Sequence, residues 1–348
     1  MNPGGIVDCV THFFSCDWGT TSFRLRRVNA VDGSVVAEQR EATGVRALQA
    51  RYPAGDRAAR AEVFAGFLRE HLRGMMGNNL AALAGIPVAI SGMASSSVGW
   101  RELPYARLPV GVDGAGISQE VFDLEFDGGS TRMPIRLISG VRTDTEIMRG
   151  EEVEIMGLFA EGRHAALAQN SIVVLPGTHS KHVRLRDRQI TDFHTFLTGE
   201  LFDVLATHSL LAASVGDAGS VLPLSETSAR EAFLDGVRTV AENGLARGLF
   251  QTRTRTVLQN VPPAANRWFL SGLLIGAEIK DLVERAPGVP ILLAAPESLS
   301  LPYELALKTL QPAERLAAVP PAEMSLASVR GQLMLLSANL KASGRLRA

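Results

Sequence analysis

The 348-residue chain has only two cysteines, Cys9 and Cys16, and 6% of its residues are aromatic. Two thiols close together at one end are typical of free cysteines in a reducing compartment, so no disulfide framework is expected. Charge of one sign is also missing, because 35 Lys and Arg balance 36 Asp and Glu to a formal net charge of -1. The chain therefore lacks the basic excess that nucleic acid or an anionic membrane attracts.

Long hydrophobic runs are absent as well. The longest, residues 80–90 and 268–279, are interrupted by Gly, Pro or polar residues. Neither reaches the roughly 20 residues of a membrane-spanning helix. Residues 1–11 contain no Lys or Arg and do not read as a signal peptide. We expect a cytoplasmic enzyme of two domains or one large one.

Several catalytic signatures are missing too. No Walker A pattern occurs, and residues 114–116 lack the third glycine of a dinucleotide-binding fingerprint. His179 and His182 have no Glu between them and lie in an expected strand, which disfavours zinc. No Ser-His-Asp chain order is visible. These absences disfavour a P-loop NTPase, a dinucleotide-binding fold and a Ser-His-Asp hydrolase.

Two polar turns, at residues 17–21 and 177–181, each separate an apolar run from an alternating one. Strand, turn and strand, occurring twice, indicate two related lobes. Glycine lets the backbone approach a phosphate closely, and threonine adds a hydroxyl donor. An Asp at the end of a strand suits Mg²⁺, which favours few carboxylates. The alternative for each turn is an ordinary hairpin, but the repetition favours phosphate binding.

The coarse pattern of both halves is strands first and a helix after them, which favours α/β lobes with mixed sheets. We expect a loop-rich stretch over residues 104–129. The hydrophobic spacing predicts these helices: 58–73, 145–160, 198–209, 231–249, 268–285, 304–310 and 323–340.

Taken together, the motifs resemble the 2-dehydro-3-deoxygalactonokinase family, within the superfamily of sugar kinases, hexokinase, Hsp70 and actin. The resemblance extends from residue 16 to about 310. The segments that carry it are 17–21 with Arg24, 92–105, 148–152, 176–181, 192–201 and 269–278.

The resemblance implies two ribonuclease-H-like α/β lobes, with mixed sheets flanked by helices and an ATP cleft between them. The first lobe would be residues 1–140 and the second 141–348, with the terminal helix packing back on the first. The family uses ATP to phosphorylate 2-dehydro-3-deoxy-D-galactonate at its 6-hydroxyl in galactonate catabolism. ATP and Mg²⁺ are the implied cofactors, with Asp17 as the metal-holding residue.

The resemblance also assigns the nucleotide contacts. They are the residues of the two turns and two glycines of a later helix, which could line the nucleoside pocket or serve only for packing: Asp17, Gly19, Thr20, Thr21, Gly177, Thr178, His179, Lys181, Gly272 and Gly276. Residues 294–299 depart from the family, because alanine and proline replace the glycine expected near adenosine. Nucleotide preference is therefore left open.

Phosphoryl transfer needs positioning and charge neutralisation, and a carboxylate near the accepting hydroxyl acts as base. Asp144, by analogy with hexokinase-like kinases, and Glu151, in the sharper motif, are the two candidates. Their alternatives are a helix cap for Asp144 and an ion pair with Arg149 for Glu151.

Substrate contacts are expected where Gly- and Ser-rich segments follow buried strands, and where an Arg can receive the substrate carboxylate. The candidates are Arg24, Met93, Ser95, Trp100, Thr198 and Glu200. A solvated strand residue, a core tryptophan and a helix cap are the plainer interpretations of Arg24, Trp100 and Thr198.

Two other functions remain open. The chain could phosphorylate another small sugar or sugar acid, or it could be a non-catalytic nucleotide-binding sugar sensor. The expected partner is a small sugar-acid substrate, with neither nucleic acid nor membrane, and a homodimer is left open.

Overall fold

A computed structural model describes residues 11–77, 80–217, 219 and 222–342. By its internal contacts the chain divides into two units. Within the described residues, the first unit comprises positions up to 165, 188–190 and those from 326 onward, and the second comprises 166–187 and 191–325. The predicted boundary after residue 140 differs from this division, and the assignment of functions to the two lobes stays a prediction.

The first unit is built on a six-stranded mixed sheet in the order β3-β2-β1-β4-β8-β7, with a three-stranded sheet in the order β10-β9-β5. Strands β1 and β4 run parallel, as do β4 and β8, and the remaining pairs of the larger sheet are antiparallel. Its strands are β1 (His12–Trp18), β2 (Phe23–Asn29), β3 (Val35–Glu41), β4 (Val88–Gly92), β5 (Ala106–Arg107), β6 (Val110–Gly111), β7 (Gln119–Phe126), β8 (Thr131–Ile138), β9 (Val141–Arg142) and β10 (Ile147–Met148).

Alternation along β1 fills two cores. Phe14, Cys16 and Trp18 lie in the cluster that also holds the apolar face of α2 (Arg57–Met76). Phe13 packs on the opposite face with Val329 and other residues of the terminal helix. Successive side chains of a strand point to opposite faces, so Asp17 lies on the Phe13 side of the sheet.

The helices of the first unit are few. Asp56 caps α2 by accepting a hydrogen bond from the Ala59 amide at 2.9 Å, and Gly77 ends it at a φ of 65°. The others are α1 (Val45–Gln49), α3 (Glu151–Phe159) and the C-terminal α12. Helix α12 (Ala327–Ala342) lies against α3, where Gly331 comes so close that a Cβ would be 2.0 Å from the Val153 carbonyl oxygen.

The second unit holds the strand order β15-β14-β11-β12-β13, again mixed, because β11 is antiparallel to β12 and parallel to β14. Its elements are α4 (Ala165–Gln169), β11 (Asn170–Leu175), β12 (Ser180–Arg186), β13 (Gln189–Phe196), α5 (Thr198–His208), α6 (Ala212–Val215), α7 (Thr227–Asn243), α8 (Leu245–Gln259), α9 (Pro263–Arg285), β14 (Ile291–Leu293), α10 (Glu297–Leu310), β15 (Leu316–Ala318) and α11 (Pro321–Met324). The α/β class with mixed sheets is confirmed.

Several predicted helices change length for identifiable reasons. The helix predicted over 145–160 begins only at Glu151, because Gly150 has a φ of 114° and residues 147–148 pair with β9. Gly244, at a φ of 76°, splits the helix predicted over 231–249 into α7 and α8. The stretch expected to be loop-rich contains β7, whose Leu124 and Phe126 are buried.

Two further helix ends also moved. The helix predicted from residue 304 begins at Glu297 and accommodates Pro302, and the one predicted over 323–340 is α11 followed by α12. Cys16 is a buried free thiol, and burial raises its pKa well above the usual value. Cys9 lies outside the described residues. Among the helices that the structure describes, none is long and apolar enough to cross a membrane.

Candidate active-site elements

The first polar turn follows β1 directly. Asp17 pairs with Arg24 across the antiparallel β1–β2 ladder and with Ser91 across the parallel β1–β4 ladder. The turn is closed by the Gly19 amide, which donates to the Ser22 carbonyl at 2.8 Å. Asp17 is therefore held between two strands, while Thr20 and Thr21 are exposed at the tip.

Helix α1 grips this turn from outside. The amides of Val45 and Arg46 donate to the carbonyls of Gly19 and Thr20 at 3.0 and 3.1 Å. Gly44 comes so close that a Cβ there would lie 2.4 Å from the Thr20 carbonyl. Within the described chain the amides of Thr20 and Thr21 donate no hydrogen bond. A Cβ on Gly44 would also lie 2.4 Å from the Thr21 nitrogen, so Gly44 packs against that amide as well.

An acidic cluster faces Asp17 from the start of α3, whose first turn contains Glu151, Glu152 and Glu154. Burial raises the pKa of Asp17, with a further rise from Glu151, while Arg24 and Arg26 oppose it. Burial likewise raises the pKa of Glu154 well above its usual value, and Asp17 adds to the rise. Like charges in a desolvated place favour a cation or a proton.

The Glu152 side chain accepts hydrogen bonds from the turn that precedes α3. Its two carboxylate oxygens accept from the Gly150 amide at 2.9 and 2.8 Å, and the side chain is 1% exposed. Burial, with a contribution from Glu151, raises the pKa of Glu152 to about 8. Glu152 is thus a buried anchor of the Gly150 turn.

Arg24 lies on the same sheet face as Asp17, because directly paired residues share a face. Burial and neighbouring Arg26 lower the pKa of its guanidinium, whereas Asp17 raises it. Arg26 instead forms an ion pair with Glu38 at 2.5 Å. Of the two arginines, Arg24 is the one placed next to Asp17.

The carboxylates near Asp17 fit a magnesium ion that has few protein ligands. Among the described residues, no three His, Cys, Asp or Glu side chains form a metal cage. Mg²⁺ in phosphoryl-transfer sites is bound by one or two carboxylates, with water and phosphate oxygens completing its shell. Asp17 at a strand end, with Glu151 nearby, meets that requirement.

The two predicted base candidates occupy different environments. Glu151 begins α3 and acts electrostatically on Asp17. Asp144 lies between β9 and β10 rather than at a helix N-terminus, with its side chain 83% exposed and paired to Arg107. The structure therefore brings Glu151, and not Asp144, into the Asp17 cluster.

The segment after β4 was expected to contact substrate. Ser95 is fully buried, donates to the Ile138 carbonyl at 2.6 Å and accepts from Arg149. Trp100 is 5% exposed and packs near Trp18 and Phe122. The placement of Trp100 favours its plainer interpretation as a core tryptophan, and Ser95 holds the loop through its buried hydrogen bonds.

Met93 is partly buried against the same core. Arg149 holds the segment in place, since it also reaches the Leu103 carbonyl at 3.3 Å and stacks 4.1 Å over the Tyr105 ring. The role of Arg149 as an anchor was not foreseen, although it lies inside a motif that the resemblance used.

The second polar turn connects β11 to β12. Thr178 and His179 are exposed at its tip, while Lys181 is buried and its Nζ donates to the His179 carbonyl at 3.2 Å. His179 Nε2 lies 2.6 Å from a carboxylate oxygen of Glu200 on α5. Glu200 thus braces the turn.

A cavity of about 500 Å³ lies beside this turn within the second unit. Its walls combine apolar and aromatic groups with hydroxyls: Gly177, Thr178, Thr198, Gly199, Phe202, Asp203, Arg267, Trp268, Ser271, Leu274, Ile275, Ser298, Leu299, Pro302 and Tyr303. An apolar pocket with a few convergent polar groups is the usual form of a small-molecule binding site.

Gly272 and Gly276 do not line that cavity. A Cβ on Gly272 would come 2.1 Å from the Phe233 carbonyl oxygen, and one on Gly276 would come 2.9 Å from the Val237 Cα. Both glycines face α7, and this corrects the expectation that they contact the nucleoside. The neighbouring Ser271, Leu274 and Ile275 line the cavity instead.

The segment that departs from the family does reach the cavity. Ala294 and Ala295 are buried, while Ser298 and Leu299 at the start of α10 form part of the wall. Trp268 and Tyr303, which sequence reasoning did not single out, complete it from α9 and α10.

Each of the two mixed α/β units contains three consecutive strands, the first two joined by a polar turn, and then a helix. Residues 17–329 match the model of the family described as 2-keto-3-deoxy-galactonokinase. The chain belongs to this family.

Two curated relatives agree. The chain is 34% identical over 306 residues to a probable 2-dehydro-3-deoxygalactonokinase of Rhizobium meliloti (strain 1021), covering 86% of this chain and 89% of the relative. It is 33% identical over 300 residues to the 2-dehydro-3-deoxygalactonokinase of Escherichia coli (strain K12), covering 86% and 90%.

A solved structure extends the likeness to the fold. A crystal structure from Sinorhizobium meliloti, which carries the same enzyme name provisionally, superposes with a TM-score of 0.73 at 30% identity. The superposition covers 96% of this chain and all of that one.

Proposed function

We propose that this protein uses Mg-ATP to phosphorylate 2-dehydro-3-deoxy-D-galactonate at its 6-hydroxyl, a step of galactonate catabolism in the cytoplasm. The observation that carries the proposal is the family match over residues 17–329, which includes the turn from Asp17 to the exposed Thr20 and Thr21. The names of both curated relatives support the same acceptor.

In this proposal each turn binds phosphate within its own unit. At the first turn the Thr20 amide and the hydroxyls of Thr20 and Thr21 receive phosphate oxygens, and Gly19 lets the backbone approach them. Gly177, Thr178, His179 and Lys181 receive phosphate oxygens at the second turn. The cavity lined by Trp268 and Leu299 takes the adenosine. Asp17 would hold Mg²⁺, which neutralises phosphate charge when bound.

Glu151 is the proposed base, with Asp144 as the weaker candidate. As the 6-oxygen attacks the γ-phosphorus, the proton of that hydroxyl passes to the Glu151 carboxylate and ADP leaves. The N-terminal end of α3 favours a carboxylate at this position. Arg24, next to Asp17, is the proposed partner of the substrate carboxylate.

The remaining predicted substrate residues support the site structurally. Thr198 lines the cavity, Glu200 braces the second turn, and Met93, Ser95 and Trp100 support the loop after β4. Keeping water from the reacting atoms suppresses ATP hydrolysis, which a kinase requires.

A coupled ADP-release assay over a panel of 2-keto-3-deoxy sugar acids and neutral sugars tests the proposal. We expect the highest kcat/KM with 2-dehydro-3-deoxy-D-galactonate. A higher value with another acceptor would reassign the substrate, and turnover with none would favour a nucleotide-binding sensor.

A further inference from the structure

A buried network of side chains lies beneath the second turn and centres on Glu278. This carboxylate is on α9 and is 3% exposed. It contacts His182 Nε2 at 2.8 Å on one oxygen, and on the other it accepts from the Tyr303 hydroxyl at 2.7 Å and from the Thr198 hydroxyl. The Glu278 carboxylate therefore joins four elements, which are α9, β12, α10 and α5.

The first connection from Glu278 to the turn has a fixed direction. The Tyr303 hydroxyl has a single hydrogen, with which it donates a hydrogen bond to the Glu278 carboxylate. It must therefore accept a hydrogen bond from the Ser180 hydroxyl, 2.8 Å away. Ser180 in turn accepts from the Gly177 amide at 3.4 Å. Every donor of this chain points toward Glu278, and such chains polarise one another.

The second connection goes through α5. Thr198 is fixed by Glu278, and the next residues contact the turn directly. The Glu200 amide donates to the Thr178 carbonyl at 3.1 Å, and a Cβ on Gly199 would lie 2.7 Å from the Gly177 carbonyl oxygen. The first connection ends on Gly177, and the second ends on Gly177 and Thr178, at the edge of the 500 Å³ cavity.

We propose that Glu278 is a positioning residue, which sets the second turn and the Thr198 wall in the geometry that binds ATP. The inference rests on the proposed function and adds a group that touches neither phosphate nor sugar acid. A buried carboxylate with satisfied donors is rigid. Loss of the Tyr303 hydroxyl leaves Ser180 without its acceptor and Glu278 with one donor fewer.

Two variants interrupt the first connection while leaving the packing in place. Ser180→Ala removes a hydroxyl from a fully buried residue that is not part of the cavity wall. Tyr303→Phe removes the hydroxyl that bridges Ser180 and Glu278 and keeps the ring. We expect each to weaken binding of a non-hydrolysable ATP analogue, and to raise the KM for ATP, about tenfold.

The KM for the sugar acid should stay within about twofold. Because both variants break one chain, the double variant should bind the analogue about as weakly as either single variant. Matched controls are Ser214→Ala, whose buried hydroxyl has no partner among the described residues, and Tyr52→Phe in the first unit. Both should bind the analogue normally.

A second readout needs neither ligand nor turnover. Amide hydrogen exchange at residues 177–181 should speed up in Ser180→Ala and Tyr303→Phe, with exchange in the strand core unchanged. Unchanged exchange in the turn, unchanged analogue affinity, or equal rises in both KM values would overturn the inference. If the natural protein transfers no phosphoryl group but the variants still weaken analogue binding, the proposed function fails and this inference stands.

Discussion

Gly44 packs directly on the backbone of Thr20, at the tip of the first turn. A Cβ on Gly44 would lie 2.4 Å from the Thr20 carbonyl carbon and oxygen, closer than any real contact. Its own backbone, at a φ of -84° and a ψ of -171°, suits any residue. Glycine is therefore required by the close approach and not by its own conformation.

Gly44→Ala should displace the first turn. Because the obstructing atoms are backbone, they can be relieved only by moving the turn or α1, and we expect kcat/KM for ATP to fall at least about tenfold. The matched control is Gly66→Ala within α2, where no atom lies within 4 Å of the added methyl. That control should keep full activity and gain up to about 1 kcal/mol of stability. Normal kinetics in Gly44→Ala would mean that the turn does not bind phosphate.

Asp17→Asn should lower kcat at least about a hundredfold, equivalent to about 2.7 kcal/mol of transition-state stabilisation. The amide keeps the size of the carboxylate and removes the charge proposed to hold Mg²⁺. Since burial raises the pKa of Asp17, a neutral side chain should leave the melting temperature unchanged or higher. Steady-state kinetics over a range of Mg²⁺ concentrations measure the loss, and near-normal turnover would remove Asp17 from the metal site.

Glu151→Gln and Asp144→Asn separate the two base candidates. We expect Glu151→Gln to bind ATP and sugar acid normally and to lose kcat at least about a hundredfold, since general bases contribute factors of that order. Asp144→Asn breaks an exposed pair with Arg107, and such pairs contribute about 0–1 kcal/mol of stability. Its kcat should stay within about twofold. The reverse pattern would make Asp144 the base.

Glu152 should make stability depend on pH. Its folded-state pKa of about 8 is above the ordinary 4.5, so the folded protein retains a proton that the unfolded chain releases. Its contribution is fully present below pH 4.5 and is lost as pH rises to about 8, at about 1.4 kcal/mol per pH unit.

Glu152→Gln cannot titrate and can still accept from the Gly150 amide. Denaturant unfolding at pH 5, 6, 7 and 8 should show the natural protein losing stability relative to this variant by a few kcal/mol in total. A difference between the two proteins that stays constant over that range would show that Glu152 is not buried with a raised pKa.

The features predictable from sequence are local. The strand–turn–strand units around residues 17–21 and 177–181 depend on residues that are neighbours in the sequence. The same holds for the apolar faces of α2 and α9. The prediction of a loop over 104–129 was wrong for β7. Phe122, Leu124 and Phe126 alternate with polar residues there, which is the pattern of a strand.

The features that sequence could not supply depend on distant contacts. Gly44 and Thr20 are separated by a strand pair, and Glu278 meets His182 across 96 residues. A glycine in the sequence looks the same whether it faces a ligand or another helix. Only the observed packing of Gly272 and Gly276 on α7 shows that they face a helix. The positive φ of Gly150 likewise delays the start of α3, and that of Gly244 interrupts the helix that the apolar spacing predicts.

The most direct test of the account is the identity of the phosphorylated product. Purified protein, Mg-ATP and 2-dehydro-3-deoxy-D-galactonate would be incubated and followed by ³¹P NMR. The account predicts one ADP for each new phosphomonoester, whose phosphorus couples to the two protons on C6. ATP that stays intact, ADP accompanied only by inorganic phosphate, or an ester at another carbon would contradict it.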